Sequence, residues 1–426
     1  MNVLSLLVVA SLSLLTAVSA GADPLPRAKP EEVGLSSARL DRIGQTLRAD
    51  VERGRIPGAV VVVARKGRIA YAEAIGFRDK AAGTPMTADA IFRIASMTKP
   101  FTSVAAMMLY EEGRLFVSDP VSKHLPALGD RQVGVEKTDA VTGKTVFYTV
   151  PADREMTVQD LLRHTSGLTY GNRGTTPVHK MYPLSSTAAS QEMTGAEFID
   201  RLAKVPLLHQ PGTTWDYSYS TDVLGRVVEV VSGQPLGQFL EERVFRAPKM
   251  PDTGFVVPAG KQGRLAQALS PNPETGKETK LPDATVPRKF ECGGGCAVST
   301  ASDYVRFAQM LLNRGALDGV RLLGRKTVDY MTSDHLGTSI APGAAYLPGT
   351  GYGFGLGFAV RRETGVASLT GSAGDYNWGG AFGTFFWVDP KEELVVVYMS
   401  QADATSAIRG QHRQLLKSFV LQAIVD

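Results

Sequence analysis

The 426 residues are 43% hydrophobic and 21% charged, with a formal net charge of +4. That balance excludes a disordered chain and supplies enough apolar material for two domains, or for one large domain carrying an insertion. Lys and Arg are scattered along the chain, which leaves no basic stripe for a nucleic acid.

Residues 4–18 form an apolar run without a charged side chain, closing on the small residues Val18-Ser19-Ala20 and Ala20-Gly21-Ala22. The run is shorter than the about 20 apolar residues that cross a bilayer, so residues 1–22 are expected to be a secretory signal peptide. The mature protein is then exported, to the periplasm or medium, with no stable membrane span. A first helix is expected over residues 36–52. The Val-rich run 59–64 and the run 68–74, split by Lys66-Gly67, give a hairpin signal.

A helix is expected from Ser96 to Glu112, stopped by Gly113. Beyond it, residues 111–290 carry helical signals at 157–163, 194–202 and 221–231, the last with apolar residues at helical spacing and a stop at Gly233. Between them lie two long polar, turn-rich stretches, 129–151 and 171–190, expected as irregular loops. Another helix is expected over 300–313, strands over 381–388 and 394–400, and a closing helix over 406–424. The first and last strands have no partners nearby in sequence, so they are expected to join one antiparallel sheet flanked by helices. The fold class is α+β, with residues 23–110 and 291–426 forming a sheet domain and 111–290 a mostly helical insertion.

The two cysteines stand in Cys292-Gly293-Gly294-Gly295-Cys296. A disulfide across three glycines is sterically conceivable, and an oxidising compartment permits it. The alternative is two thiols, and neither state is expected to act in catalysis. The six histidines fall in no metal-binding spacing, so no metal and no cofactor are expected.

Three segments carry chemistry. In Ser96-Met97-Thr98-Lys99 the serine and lysine lie three apart, on one face of a first helical turn. A hydroxyl becomes a good nucleophile when a neighbouring base takes its proton, and a lysine one turn away is such a base. The rival signature, G-x-S-x-G, is absent from the sequence. In Pro211-Gly212-Thr213-Thr214-Trp215-Asp216-Tyr217, a loop tyrosine precedes a helix and is a candidate second base. In Gly371-Ser372-Ala373-Gly374-Asp375-Tyr376-Asn377-Trp378-Gly379-Gly380-Ala381, glycines at a strand edge let a ligand approach the backbone, where an N–H can serve an oxyanion.

With Leu161-Leu162-Arg163-His164-Thr165-Ser166-Gly167-Leu168 and Gly293-Gly294-Gly295 added in this order, the chain resembles the class C β-lactamase and family VIII carboxylesterase group from about Val33 to its C-terminus. The resemblance implies the β-lactamase/penicillin-binding transpeptidase-like fold. It also implies an acylated Ser96, proton transfers shared by Lys99 and Tyr217, and an oxyanion hole formed by the N–H groups of Ser96 and Ala381. His164 is expected to be structural.

The chain departs from the β-lactamases in two places. It has no Lys-Thr-Gly; Trp378-Gly379-Gly380 stands there, as in the esterases. It also lacks the Asn of Tyr-x-Asn after Tyr217. A literal Tyr170-Gly171-Asn172 follows the histidine landmark instead, so Tyr170 is expected at the pocket mouth. The expectation is a serine carboxylesterase for short-to-medium acyl esters, with weak cephalosporin hydrolysis. Trp378, Gly379, Gly380, Tyr219, Tyr170 and Phe290 are expected to line a pocket between the sheet and the helical insertion. The alternatives are a class C-like β-lactamase or D-Ala-D-Ala peptidase, and a non-catalytic binder of cell-wall fragments. The partner is a small-molecule ester, and oligomeric state is not legible.

Overall fold

The computed structural model describes residues 25–426, so the segment read as a signal peptide lies outside the described residues. An eight-stranded sheet forms the centre. In spatial order its strands are Tyr352–Phe354, Ala359–Arg361, Tyr376–Gly379, Phe385–Asp389, Leu394–Ser400, Gly58–Arg65, Arg68–Asp79 and Thr84–Pro85. All neighbours run antiparallel.

The first strand pairs with the last, from Ala59 opposite Ser400 to Arg65 opposite Leu394. Gly58–Arg65 is buried along its whole length because alternate side chains enter two different cores. Val60, Val62 and Ala64 face the core that also holds Phe101, Val104 and Phe307. Ala59, Val61 and Val63 face Leu40, Ile43, Leu47, Leu416 and Val420. A valine-rich strand of this kind needs helices on both faces of the sheet, and the chain supplies them. Lys99–Glu111 and Ala301–Leu312 cover one face, and Ser37–Glu52 and Ile408–Leu421 the other. The last pair is tied to the sheet by a buried polar chain: Tyr398 Oη to His412 Nδ1 at 2.7 Å, and His412 Nε2 to Asp50 at 2.9 Å.

Most expected helices stand within a few residues of their sequence signals. Ser36 caps Ser37–Glu52, Thr194 and Glu197 form a capping box on Gly195–Ala203, and Gly233 ends Ser220–Ser232 in the left-handed conformation. Three expectations need correction. Residues 129–151 are not an irregular loop: Gln132–Thr138 and Thr145–Pro151 pair as an antiparallel hairpin. Both strands are mostly exposed, with Val133 the buried residue that ties them to the core. The stretch 171–190 contains Pro177–Met181 and the start of Ser186–Glu192, both helical. The strand expected from 381 begins at Phe385, because Gly380 N–H bonds the Thr384 carbonyl and closes a turn over the residues between. No helix among the described residues is long and apolar enough to cross a membrane.

The helix Ala301–Leu312 carries a pH-dependent load. Asp303 Oδ2 accepts from Asp252 N–H at 2.8 Å and Thr253 Oγ1 at 2.9 Å, and burial pushes its carboxyl up to about 6. The folded state therefore binds this proton more tightly than the unfolded chain, whose aspartates titrate near ~3.9. Stability held by the protonated form is present below pH ~4 and lost as pH rises through about 6. Asp303→Asn is expected to gain on the wild type steadily from pH 4 to 7 in urea melts. Parallel stability curves for the two proteins would contradict this.

Candidate active site

Ser96 sits in a 3₁₀ turn, Ala95–Thr98, that leads directly into the helix Lys99–Glu111. Ala95 has a φ of 43°, a left-handed value that aims the next residue away from the helix axis. The turn is fixed from several sides. Thr98 Oγ1 donates to the Ala95 carbonyl at 2.6 Å and accepts from Ala297 N–H, and Tyr304 Oη donates to the Met97 carbonyl. Ser96 remains partly exposed while Met97, Thr98 and Lys99 are buried. Its hydroxyl makes no hydrogen bond among the described residues and is free for a ligand.

Lys99 is 1% exposed. Its ammonium donates to the Gly294 carbonyl at 2.5 Å and to Tyr170 Oη at 3.3 Å, and it lies 4.6 Å from the centre of the Tyr217 ring. Tyr217 is also buried, yet its hydroxyl has no protein partner. Its ring packs against His164 at 4.9 Å and Trp378 at 5.5 Å. The His164 landmark holds this loop from below: its carbonyl accepts from Asp216 N–H, and Nδ1 meets Ser218 Oγ at 3.2 Å. Burial, aided by the nearby Lys99 charge, pushes the His164 imidazole well below its usual range and keeps it neutral.

Gly380 brings the third segment against the Ser96 turn. A Cβ on Gly380 would stand 2.3 Å from the Ile94 carbonyl oxygen and 2.2 Å from Thr384 Oγ1, so only glycine fits. Thr384 Oγ1 donates to that same Ile94 carbonyl at 3.2 Å. Arg413 and Arg409 donate to the Gly380 and Ala381 carbonyls, which orients the following peptide. The Ala381 N–H has no protein acceptor among the described residues. The strand Tyr376–Gly379 is interior to the sheet, not the edge strand expected. Its Ala359–Arg361 neighbour stops at Asn377, and this local end leaves Trp378 to Ala381 open on one side.

Ser96, Lys99, Tyr217, Trp378, Gly379, Gly380 and Ala381 thus converge. Tyr219 and Phe290, also expected to line the pocket, do not, and Tyr170 joins the group from the interior through Lys99. Tyr219 is fully buried against Tyr170 and Phe198, at 4.3 and 5.2 Å. Phe290 stacks on Phe198 at 4.9 Å. Tyr170 does not stand at a mouth: it is 5% exposed, and its hydroxyl is wired to Lys99, Ser186 and Asp222. A cavity of about 730 Å³ lies elsewhere, bounded by Phe245, Met250, Phe255 and Val298, and touches none of the converging residues.

Asp222 is the residue that sequence reasoning passed over. It accepts from Ser186 Oγ at 2.7 Å, Tyr170 Oη at 3.2 Å and Gly294 N–H at 2.9 Å. Burial raises its carboxyl above the usual range, and the Lys99 charge opposes that rise. Tyr170 keeps its proton, since burial and Asp222 push its phenol well up. The only sequence signal for Asp222 is an acidic residue in the first turn of an otherwise apolar helix face.

The family described as Beta-lactamase matches residues 43–419. Protein Rv1367c of Mycobacterium tuberculosis is 36% identical over 385 residues, which cover 87% of this chain and 94% of that one. Esterase EstB of Burkholderia gladioli is 32% identical, covering 85% and 90%. Among solved structures, EstCE1, described as a hydrolase with promiscuous acyltransferase activity, superposes with a TM-score of 0.72 at 26% identity, covering 90% and 98%.

Proposed function

The chain belongs to the Beta-lactamase family, and from that membership we propose that it is a serine carboxylesterase, of the family VIII type, that works through an acyl-enzyme on Ser96. One observation carries the reading above all: a buried Lys99 ammonium packed on the ring of Tyr217, whose buried hydroxyl has no protein partner, one turn from a free serine.

Ser96 Oγ attacks the ester carbonyl, and its proton passes to the oxygen of Tyr217, which enters the step as a phenolate paired with the Lys99 ammonium. The tetrahedral oxyanion lies between the N–H groups of Ser96 and Ala381. The bond to the alcohol oxygen breaks, and that oxygen takes its proton from Tyr217. Water then attacks the acyl-Ser96 ester, its proton follows the reverse path, and the acid leaves with Ser96 restored. Trp378, where a β-lactam carboxylate would need a cation, favours an apolar acyl or alcohol group. The similarity to Esterase EstB points the same way. Export to an oxidising compartment is supported by the apolar run of residues 4–18 and by the Cys292–Cys296 disulfide.

Hydrolysis of p-nitrophenyl acetate, butyrate and octanoate beside nitrocefin tests the substrate class. The expected pattern is fast turnover of at least one ester and slow turnover of nitrocefin. Nitrocefin turnover above every ester would make the protein a β-lactamase. No turnover and no covalent label on Ser96 would make it a binder of cell-wall fragments.

A further inference from the structure

Cys292 and Cys296 are disulfide-bonded, which decides between the two states that sequence left open. The three glycines inside this ring are not a passive turn. The Gly294 carbonyl accepts from Lys99 Nζ at 2.5 Å, and the Gly294 N–H donates to Asp222 at 2.9 Å. The Gly293 carbonyl accepts from Thr102 Oγ1 at 2.9 Å, on the same helix as Lys99. One peptide segment thus holds the lysine, its helix and the buried carboxylate in register.

The segment also fits too closely for side chains. A Cβ on Gly293 would lie 2.9 Å from Thr102 Oγ1 and from the Thr221 carbonyl, and one on Gly294 would lie 2.4 Å from Asp222. Close approach requires glycine, but three glycines in a row are the loosest backbone available and lose the most freedom when ordered. They have no side chains to pack in place. A cross-link between the flanking residues removes that freedom. Both cysteines are buried, Cys292 fully and Cys296 to 5% exposure.

We propose that the Cys292–Cys296 disulfide is a positioning device for Lys99, and that opening it lowers turnover without unfolding the protein. This rests on the acyl-enzyme reading of Ser96 and Lys99. In the opening step a dithiol such as dithiothreitol supplies two electrons and two protons. The Sγ–Sγ bond breaks, each cysteine sulfur takes a proton, and the reagent closes to its own cyclic disulfide. A released Gly294 carbonyl no longer fixes the ammonium, and small misplacements of catalytic groups cost up to ~10²-fold in rate.

The test compares oxidised wild type, fully reduced wild type, Cys292→Ser/Cys296→Ser and Ser96→Ala on p-nitrophenyl butyrate, with near-UV circular dichroism on each. On reduction kcat is expected to fall about tenfold or more, with KM within about twofold and full recovery on reoxidation. The double serine variant should match the reduced enzyme and ignore dithiothreitol. Equal kcat in oxidised and reduced protein overturns the proposal. So does a loss of near-UV signal in step with activity, because the disulfide would then hold the fold at large. An active Ser96→Ala would instead sink the acyl-enzyme reading itself, whereas a dead Ser96→Ala beside a redox-indifferent wild type sinks only this inference.

Discussion

Ser96→Ala is expected to lower kcat for p-nitrophenyl butyrate by about 10⁴- to 10⁶-fold, the scale seen when a nucleophile is removed from a serine hydrolase. Stability should stay within about 0.5 kcal/mol of wild type, since the hydroxyl is partly exposed and bonds no protein group. Tyr217→Phe sharpens the assignment. Its hydroxyl is buried without a partner, so removing it costs the fold nothing, yet a proton carrier lost there lowers kcat by about 10²- to 10⁴-fold. Tyr170→Phe has the opposite profile: it removes a donor to Asp222 and so costs stability. Full activity in Tyr217→Phe, with loss in Tyr170→Phe at unchanged stability, would move the proton path to Tyr170. Full activity in Ser96→Ala would end the mechanism.

The second large effect lies beneath the strand that carries Trp378. Asp375 accepts from Arg361 Nε at 2.8 Å and from Lys417 Nζ at 2.8 Å, and all three side chains are nearly or wholly buried. Tyr352 Oη donates to the same carboxylate at 3.0 Å. Asp375→Ala leaves two buried cations without their shared anion. Breaking a buried pair from one side costs about 3–5 kcal/mol. Thermal melts should show a fall in Tm of about 4–6 °C. Asp375→Asn, which retains an acceptor oxygen, should fall between. A change under about 1 kcal/mol in Asp375→Ala would show that the cations find other partners. Arg361 does donate to the Leu369 and Thr370 carbonyls, but for Lys417 the other recorded partner is the Tyr352 hydroxyl.

The parts of this protein that were legible in sequence are those set by local periodicity. Val-rich runs became central strands, and Ser36, Thr194 and Gly233 marked helix ends where capping chemistry requires them. The hairpin Gln132–Pro151 was missed because most of its side chains are exposed and only Val133 is buried, so its short alternations, Val133/Val135 and Val146/Tyr148/Val150, stand among polar and turn-forming residues. Ser96 and Lys99 were legible because one helical turn brings them together. Asp222 was not, nor were the contacts that Gly294 and Tyr170 make with Lys99, because they join segments up to 195 residues apart. Tyr219 and Phe290 were misplaced for a related reason. Both stand beside landmark residues in sequence, but a side chain two positions from Tyr217 can face the interior of the helical layer.

The pairing of Gly58–Arg65 with Leu394–Ser400 also fixes when this protein can exist during synthesis. The ribosome delivers the Ser96 segment early and its sheet neighbours last. Until Ser400 has emerged, the valine-rich strand keeps one hydrogen-bonding edge bare, a surface that chaperones and aggregation compete for. Ala381, the residue proposed to donate its N–H to the oxyanion, arrives in that same late stretch, and Gly380 seats against Ile94 only then. A nascent chain therefore carries Ser96 for most of its translation without a site around it. The hydrolase switches on as a whole, with its final strands, and no shorter amino-terminal fragment is expected to turn over an ester.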